Sequence, residues 1–162
     1  MLSIIVAVDQ NNAIGCNNEL LCYLPDDLKY FKSITIGKPV VMGRLTYCSL
    51  PRRPLPERRN IVLTTQENFH DSGIEVARSV NELLQLVVDE KEVFVIGGGS
   101  VYEQFLPIAD KLYITHIEHS FEGADTFFPE IDSTIWKKTS EKRHAADEKH
   151  AYSFTFVAYE RI

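Results

Sequence analysis

The sequence predicts a single α/β domain over residues 1–162, with a mostly parallel, twisted central sheet of about eight strands, an antiparallel C-terminal strand and helices on both faces. Three observations lead there. Short unbroken apolar runs at 4–8, 40–42, 61–63 and 93–96 suit strands buried on both faces, as parallel pairing requires. Stretches with helical spacing stand between them, which is the alternation of βαβ units. Finally, 162 residues at 44% apolar can bury roughly two-thirds of the unfolded surface in one core, and no repeat, low-complexity tract or linker marks a second.

Taken in order, 4–8 is the first strand, and it ends at the polar break Asp9-Gln10-Asn11-Asn12. The loop that follows continues through Asn17 and Asn18 to Tyr23, longer than a connector needs. Long loops at a strand's carboxyl end are commonly functional lids. Pro25 fits a first helical turn, and the helix runs through Ser33 until Gly37 and Pro39 stop it. Asp27, Leu28, Phe31 and Ile34 share one face of it, whereas Asp26, Lys29, Tyr30 and Ser33 are expected to look outward, with Asp26 in water.

Residues 40–42 make a second strand, which Gly43-Arg44-Leu45-Thr46 carries into another helix. A loop rich in proline and arginine, 50–59, leads to a strand at 61–63 that ends in Thr64-Thr65. A short strand at 74–77 and a helix at 80–88 follow. The central strand, 92–96, ends in Gly97-Gly98-Gly99, where the missing Cβ atoms let the chain turn sharply and a ligand approach its N–H groups. The next helix places Val101, Phe105 and Ile108 on one face and Glu103 and Gln104 outside. Strands at 112–117 and 152–159 complete the sheet, the last able to pair antiparallel.

Composition excludes several classes of function. A net charge of −6 disfavours a nucleic-acid surface, so an anionic ligand must be held by a local cluster of cations. The N-terminal apolar run meets Asp9 too soon for a signal peptide or a membrane span, so a cytoplasmic protein without membrane contact is expected. Cys16, Cys22 and Cys48 are odd in number and form no C-x-x-C pair, so they are expected as reduced thiols packed as small hydrophobes. His116 and His119 have no third ligand nearby in sequence, and no serine stands in a nucleophile elbow, so neither a metal nor a hydrolase is expected. Nothing demands a partner chain, and a monomer is expected.

In open sheets of this class the ligand lies outside the carboxyl ends of the strands. That rule gathers the loop 9–23, Gly43 to Thr46, Thr64 and Thr65, the glycine turn and the Thr115 hydroxyl. Two glycine turns, several hydroxyls and the cations Arg44 and Arg78 suit a phosphorylated dinucleotide better than a single phosphate. The strict dinucleotide fingerprint is missing because Tyr102 stands at its third glycine, so a plain tight turn and a pair of surface cations remain alternatives. Asp27 is the one acid that helical phase sets against an apolar cleft. Burial raises a carboxyl group's pKa, which suits it to donate a proton near neutrality or, ionised, to grip a cationic partner. Its alternative, which periodicity alone favours, is a first-turn carboxylate contributing about 0.3–1 kcal/mol against the helix macrodipole.

Several further motifs stand in one collinear order. They are Ala13-Ile14-Gly15, Leu24-Pro25-Asp26-Asp27-Leu28 with Phe31-Lys32, Val41-Met42-Gly43-Arg44-Leu45-Thr46, Arg53-Pro54-Leu55-Pro56 with Arg58-Arg59-Asn60, Val95-Ile96-Gly97-Gly98-Gly99, Tyr113-Ile114-Thr115-His116-Ile117 and Asp125-Thr126-Phe127-Phe128-Pro129. Together they resemble dihydrofolate reductase of the bacterial type over essentially the whole chain. The resemblance implies NADPH-dependent reduction of 7,8-dihydrofolate to 5,6,7,8-tetrahydrofolate, by hydride transfer to pterin C6 and protonation at N5. It implies that Asp27 grips the pterin and promotes the protonation, that Thr115 hydrogen-bonds that carboxylate, and that Leu20, in the lid, belongs to the catalytic set. Substrate would meet Ile5, Ala7, Leu28, Phe31, Leu50, Leu55 and Ile96, with Arg58 pairing the glutamate tail.

The cofactor would meet Ala7, Ile14, Gly15, Gly43, Arg44, Leu45, Thr46, Leu63, Thr64, Thr65, Arg78, Ile96 and the turn from Gly97 through Gly98, Gly99, Ser100 and Val101 to Tyr102, with a cis peptide at Gly97-Gly98. The chain departs from the family at Cys22, a usual tryptophan, at Leu21, a common proline, at Ser100, an arginine in some members, and at Glu57, a usual glycine. Within enzymes the alternative is a related pterin- or flavin-precursor reductase, which would tolerate loss of Arg58; outside them, a non-catalytic nucleotide-binding module.

Overall fold

The computed structural model describes residues 1–17 and 19–162; Asn18, in the stretch read as a lid, lies outside the described residues. In chain order the elements are β1 (Leu2–Val8), β2 (Ala13–Gly15), α1 (Pro25–Thr35), β3 (Val40–Gly43), α2 (Arg44–Ser49), β4 (Asn60–Leu63), β5 (Ile74–Ala77) and α3 (Val80–Leu86). They continue with β6 (Val93–Gly97), α4 (Gly99–Phe105), a 3-10 turn (Leu106–Ile108), β7 (Lys111–Ile117), β8 (Thr126–Phe127), β9 (Trp136–His144) and β10 (Phe154–Arg161). Eight strands form one sheet in the order β5-β4-β3-β6-β1-β7-β10-β9. Pairing is parallel as far as β7 and antiparallel for β7 with β10 and β10 with β9.

Side chains alternate across a strand, so each strand feeds two cores. Ile4, Val41, Ile61, Val95 and Ile114 point to one face, where Leu83 of α3 and Val101 and Phe105 of α4 meet them. Ile5, Met42, Val62 and Phe94, with Ile96 and Tyr113, point to the other, against Tyr30, Phe31 and Ile34 of α1 and Tyr47 of α2. Helices on both faces of a mostly parallel sheet are therefore what the apolar runs produce. The second face holds the site, because Ala7 and Thr115, next to each other across β1 and β7, also point there.

Four expectations need correction. β9 was not legible as a strand: its side chains are exposed apart from Trp136 and the half-buried His144, and an edge strand polar on both faces has no period-two signal. Part of the stretch read as loop is strand, since β2 pairs antiparallel with β8. Tyr30 faces inward, its ring stacked on Phe156 at 4.1 Å. Ile108 is 44% exposed, because the helix tightens after Phe105 into the 3-10 turn and loses the register that extrapolation assumed.

Candidate active site

α1 begins at Pro25, which fits the first turn because its missing N–H had no intrahelical partner to lose. Asp27 follows in that turn, and its position faces the sheet across a cavity of about 350 Å³ including the open mouth, lined by Ala7, Ile14, Leu20, Leu21, Cys22, Leu24, Leu28 and Ile117. The wall is almost wholly apolar. Thr115, buried on β7, donates its hydroxyl to Asp27 Oδ1 at 2.7 Å. Burial raises the Asp27 pKa from its ordinary value, and the Thr115 hydrogen bond partly opposes that by favouring the ionised form.

The neighbours respond to the same surroundings. Burial, and then the charge of Asp27, push the Cys22 thiol up to about 11, so the sulfur beside the carboxylate is a neutral thiol. Burial, Tyr113 and Asp27 likewise push Tyr30 to about 12. Asp27 is thus the group in this cavity whose pKa moves up from the acid side, while those of Cys22 and Tyr30 move further into the alkaline range.

The expected substrate positions lie together on this face. Ile5 and Ala7 of β1, Ile96 of β6 and Thr115 of β7 make the floor, and Leu28 and Phe31 of α1 make the wall. Leu50 and Leu55 join Phe31 in the same apolar group. Arg58 sits at the far end of α1, donating from Nη1 to Thr35 Oγ1 at 3.1 Å and from Nε to Pro56 O at 2.9 Å, with its guanidinium 6.0 Å from the Phe31 ring centroid. Thr35 was missed, although it lies four residues after Phe31 and so shares its face. Leu24 and Ile117 were missed as well: both are buried and line the cavity, but each reads in sequence as ordinary core.

On the cofactor side the two glycine turns are adjacent, since Met42 pairs with Gly97 across β3 and β6. Gly97-Gly98 is a cis peptide, and Gly97 has φ 132°, which side chains rarely adopt. A Cβ on Gly98 would stand 3.2 Å from Thr46 Oγ1, and one on Gly99 2.7 Å from Thr126 Cγ2, so the turn, α2 and β8 close on one another around bare backbone. Thr64 lies at the end of β4, accepting Gln66 N–H at 3.1 Å. Arg78 holds the loop before β5 through the carbonyls of Gln66 and Glu67. Thr65, Ser100 and Leu45 are exposed, Arg44 and Leu63 half-buried. The side chains of Val101 and Tyr102 are buried in the opposite core, the Tyr102 hydroxyl donating to Ile5 O at 2.9 Å and its N–H to Gly98 O at 2.9 Å.

The lid covers the mouth. Ile14 and Leu20 line it, Leu20 being 70% exposed at the rim, while Gly15 is buried and its carbonyl accepts Asp125 N–H at 3.1 Å. Asp9, read only as a polar break, organises this loop. It is 2% exposed, and it accepts from Asn11 and Ala13 N–H through Oδ1 and from Phe121 N–H through Oδ2.

A family model described as dihydrofolate reductase matches residues 1–161. Dihydrofolate reductase of Bacillus subtilis (strain 168) is 44% identical over 161 residues, covering 99% of this chain and 95% of the relative. Dihydrofolate reductase type 3 of Salmonella typhimurium is also 44% identical, over 99% of this chain and 98% of its own length. Among solved structures, dihydrofolate reductase from Enterococcus faecalis complexed with NADP(H) and RAB-propyl superposes with a TM-score of 0.92 at 41% identity, covering 99% of this chain and 96% of that one.

Proposed function

The chain belongs to the dihydrofolate reductase family, and from that membership we infer that it reduces 7,8-dihydrofolate to 5,6,7,8-tetrahydrofolate with NADPH. The observation that carries the mechanistic reading is the Asp27 carboxylate, set in an apolar cavity and bonded on one oxygen to Thr115 at 2.7 Å. A pterin head lying on Ile5, Ala7 and Ile96 can present an N–H pair to that carboxylate, a bidentate contact that fixes its orientation. Burial raises the Asp27 pKa from its ordinary value, which suits the carboxyl to assist protonation of the pterin, and the lid around Leu20 screens the transfer from bulk water. Leu28, Phe31, Leu50 and Leu55 suit an aromatic linker, and Arg58 suits a terminal carboxylate.

The cradle fits the cofactor: bare backbone at 97–99, with Gly97 at positive φ, Gly98 close to Thr46 and no room for a Cβ on Gly99 beside Thr126, offers N–H groups to a pyrophosphate. Arg44, Thr46, Thr64, Thr65 and Arg78 would hold its phosphates. When bound it supplies the hydride delivered to pterin C6. The reading extends to a single domain over residues 1–162, supported by one sheet that takes its strands from both ends of the chain, and to a monomer working in the cytoplasm. Among the described residues, no helix is long and apolar enough to cross a membrane.

The test is optical: protein mixed with NADPH and dihydrofolate, with absorbance followed as both are consumed. Loss of absorbance that requires both, and a KM for dihydrofolate raised at least tenfold by Arg58→Ala, is expected. A flat trace would leave a nucleotide-binding module, and unchanged turnover of Arg58→Ala would favour a reductase of tail-less pterins or flavin precursors.

A further inference from the structure

A second group of chemically competent side chains lies where the connection between β9 and β10 meets the start of α1. Asp26 of α1, His144 of β9 and His150 bring one carboxylate oxygen and two ring nitrogens within 4.8 Å of one another. Sequence spacing could not have joined them, since Asp26 stands 118 residues from His144 and 124 from His150. The Asp26 side chain is 41% exposed, in keeping with the expectation that it looks toward water, but it is not free there: its Oδ2 lies 2.9 Å from His144 Nε2.

The partners of the other ring nitrogens give the group its meaning. His150 Nδ1 donates to Asp147 Oδ1 at 2.8 Å, and His144 Nδ1 donates to the Ala145 carbonyl at 2.9 Å. A metal-binding histidine is ordinarily held in this way, one ring N–H given to a carboxylate or carbonyl. The Nε2 lone pair of His150 accepts the Asp26 N–H at 3.1 Å, whereas His144 Nε2 donates to Asp26 Oδ2 at 2.9 Å, a proton that a bound cation replaces. Both Nε2 atoms converge on Asp26. Packing fixes the rings: His144 stacks on Phe154 at 4.6 Å and 8°, and His150 is 1% exposed beside the same ring.

We propose that Asp26, His144 and His150 form a binding site for a divalent transition-metal ion of the zinc type, with Asp26 Oδ2 and the two Nε2 atoms as ligands and water in the remaining position. Two imidazoles and a carboxylate suit Zn²⁺ and its neighbours rather than Mg²⁺ or Ca²⁺, which take oxygen ligands. The Asp26–His144 separation of 2.9 Å needs to open to about 3.3 Å, the spacing of tetrahedral ligands with bonds of about 2.0–2.1 Å. The ion displaces two contacts: the hydrogen bond from His144 Nε2 to Asp26 Oδ2 at 2.9 Å, and the Asp26 N–H that donates to His150 Nε2 at 3.1 Å, an N–H of the first helical turn, where no intrahelical acceptor exists. Bound there, the ion ties the β9–β10 connection to the residue before Asp27.

The test is calorimetric titration of the full chain with Zn²⁺, together with imidazole ¹⁵N spectra. One equivalent is expected to bind, with the Nε2 resonances of His144 and His150 shifting and those of His70 unmoved. His144→Ala and Asp26→Asn should each weaken Zn²⁺ at least tenfold, and Zn²⁺ should raise the unfolding midpoint of the wild type but not of His144→Ala. Because burial of His150 makes its replacement risk misfolding, the ¹⁵N shifts of the unaltered chain serve in its place. Zn²⁺ binding unchanged in both variants, or saturation without movement of the His144 and His150 nitrogens, overturns the site.

Discussion

Replacing Thr115 by valine removes one hydrogen bond and almost no volume. Thr115 is 3% exposed on β7, so a side chain of the same shape keeps its packing. What is lost is the hydroxyl that donates to Asp27 Oδ1 at 2.7 Å. A bond to an ionised partner is worth about 1.5–3 kcal/mol net, and one to a neutral partner about 1 kcal/mol. The variant should therefore be about 2 kcal/mol less stable where Asp27 is ionised and about 1 kcal/mol less stable where it is protonated. At about 2–4 °C per kcal/mol for a chain of this size, the Tm falls by about 4–8 °C in the first condition and half as much in the second.

The direction with pH follows from the Asp27 pKa, which burial holds above the unfolded value of 3.8 and which the Thr115 bond lowers. A carboxyl whose folded pKa is raised contributes stability fully below its unfolded pKa and loses that contribution as pH rises through the folded value. Removing the hydroxyl lifts the folded pKa further, so the deficit of Thr115→Val widens as pH rises. Urea unfolding of both proteins across that range measures it. A deficit of the same size at every pH would refute the assignment of this hydroxyl to the ionised carboxylate.

Three further outcomes are expected. Glu57 holds φ 58°, a conformation costing a side-chain-bearing residue about 1–2 kcal/mol, so Glu57→Gly should raise stability by about 1 kcal/mol in denaturant unfolding, and a loss of stability would show that its side chain contributes more than the backbone costs. Cys22, lifted from 9.0 to about 11, carries roughly a hundredfold less thiolate than an ordinary thiol near neutral pH, so iodoacetamide should alkylate the exposed Cys48 long before it; equal labelling rates by mass spectrometry would contradict the half-buried neutral thiol. Gly99→Ala puts a Cβ 2.7 Å from Thr126 Cγ2, so overpacking should destabilise the fold by about 1–3 kcal/mol and weaken NADPH in a fluorescence titration; unaltered binding would separate this turn from the cofactor site.

What the sequence could reveal depended on whether each side chain repeated its setting locally. The apolar strands 4–8, 40–42, 61–63 and 93–96 announced themselves because burial on both faces leaves an unbroken run, and the Asp27, Leu28 and Phe31 face of α1 followed from helical phase. β9 did not, because its pairing with β10 is made by backbone groups while Lys137, Lys138, Lys142 and Arg143 stay in solvent. Helical phase also set Tyr30 outward, since it counts only the helix's own faces; β10 lies close enough for Phe156 to cover the ring. The partner of Asp27 is 88 residues away, and those of Asp26 are farther, so neither contact leaves a trace in local spacing. The strand-end rule gathered the Thr115 hydroxyl and motif resemblance supplied its partner, but the positioning roles of Thr35 and Asp9, both buried polar residues, emerged only from the fold.

The most direct measurement is the turnover of Asp27→Asn against wild type, with NADPH and dihydrofolate, across the pH range. Asparagine keeps the shape and the Thr115 contact but can neither hold the proton nor grip a cationic pterin. The rate ratio of wild type to variant should be largest near neutral pH and shrink in acid, where the substrate takes its proton from solvent. A ratio that is constant with pH, or a variant as fast as wild type at neutrality, would contradict a catalytic carboxylate at this position.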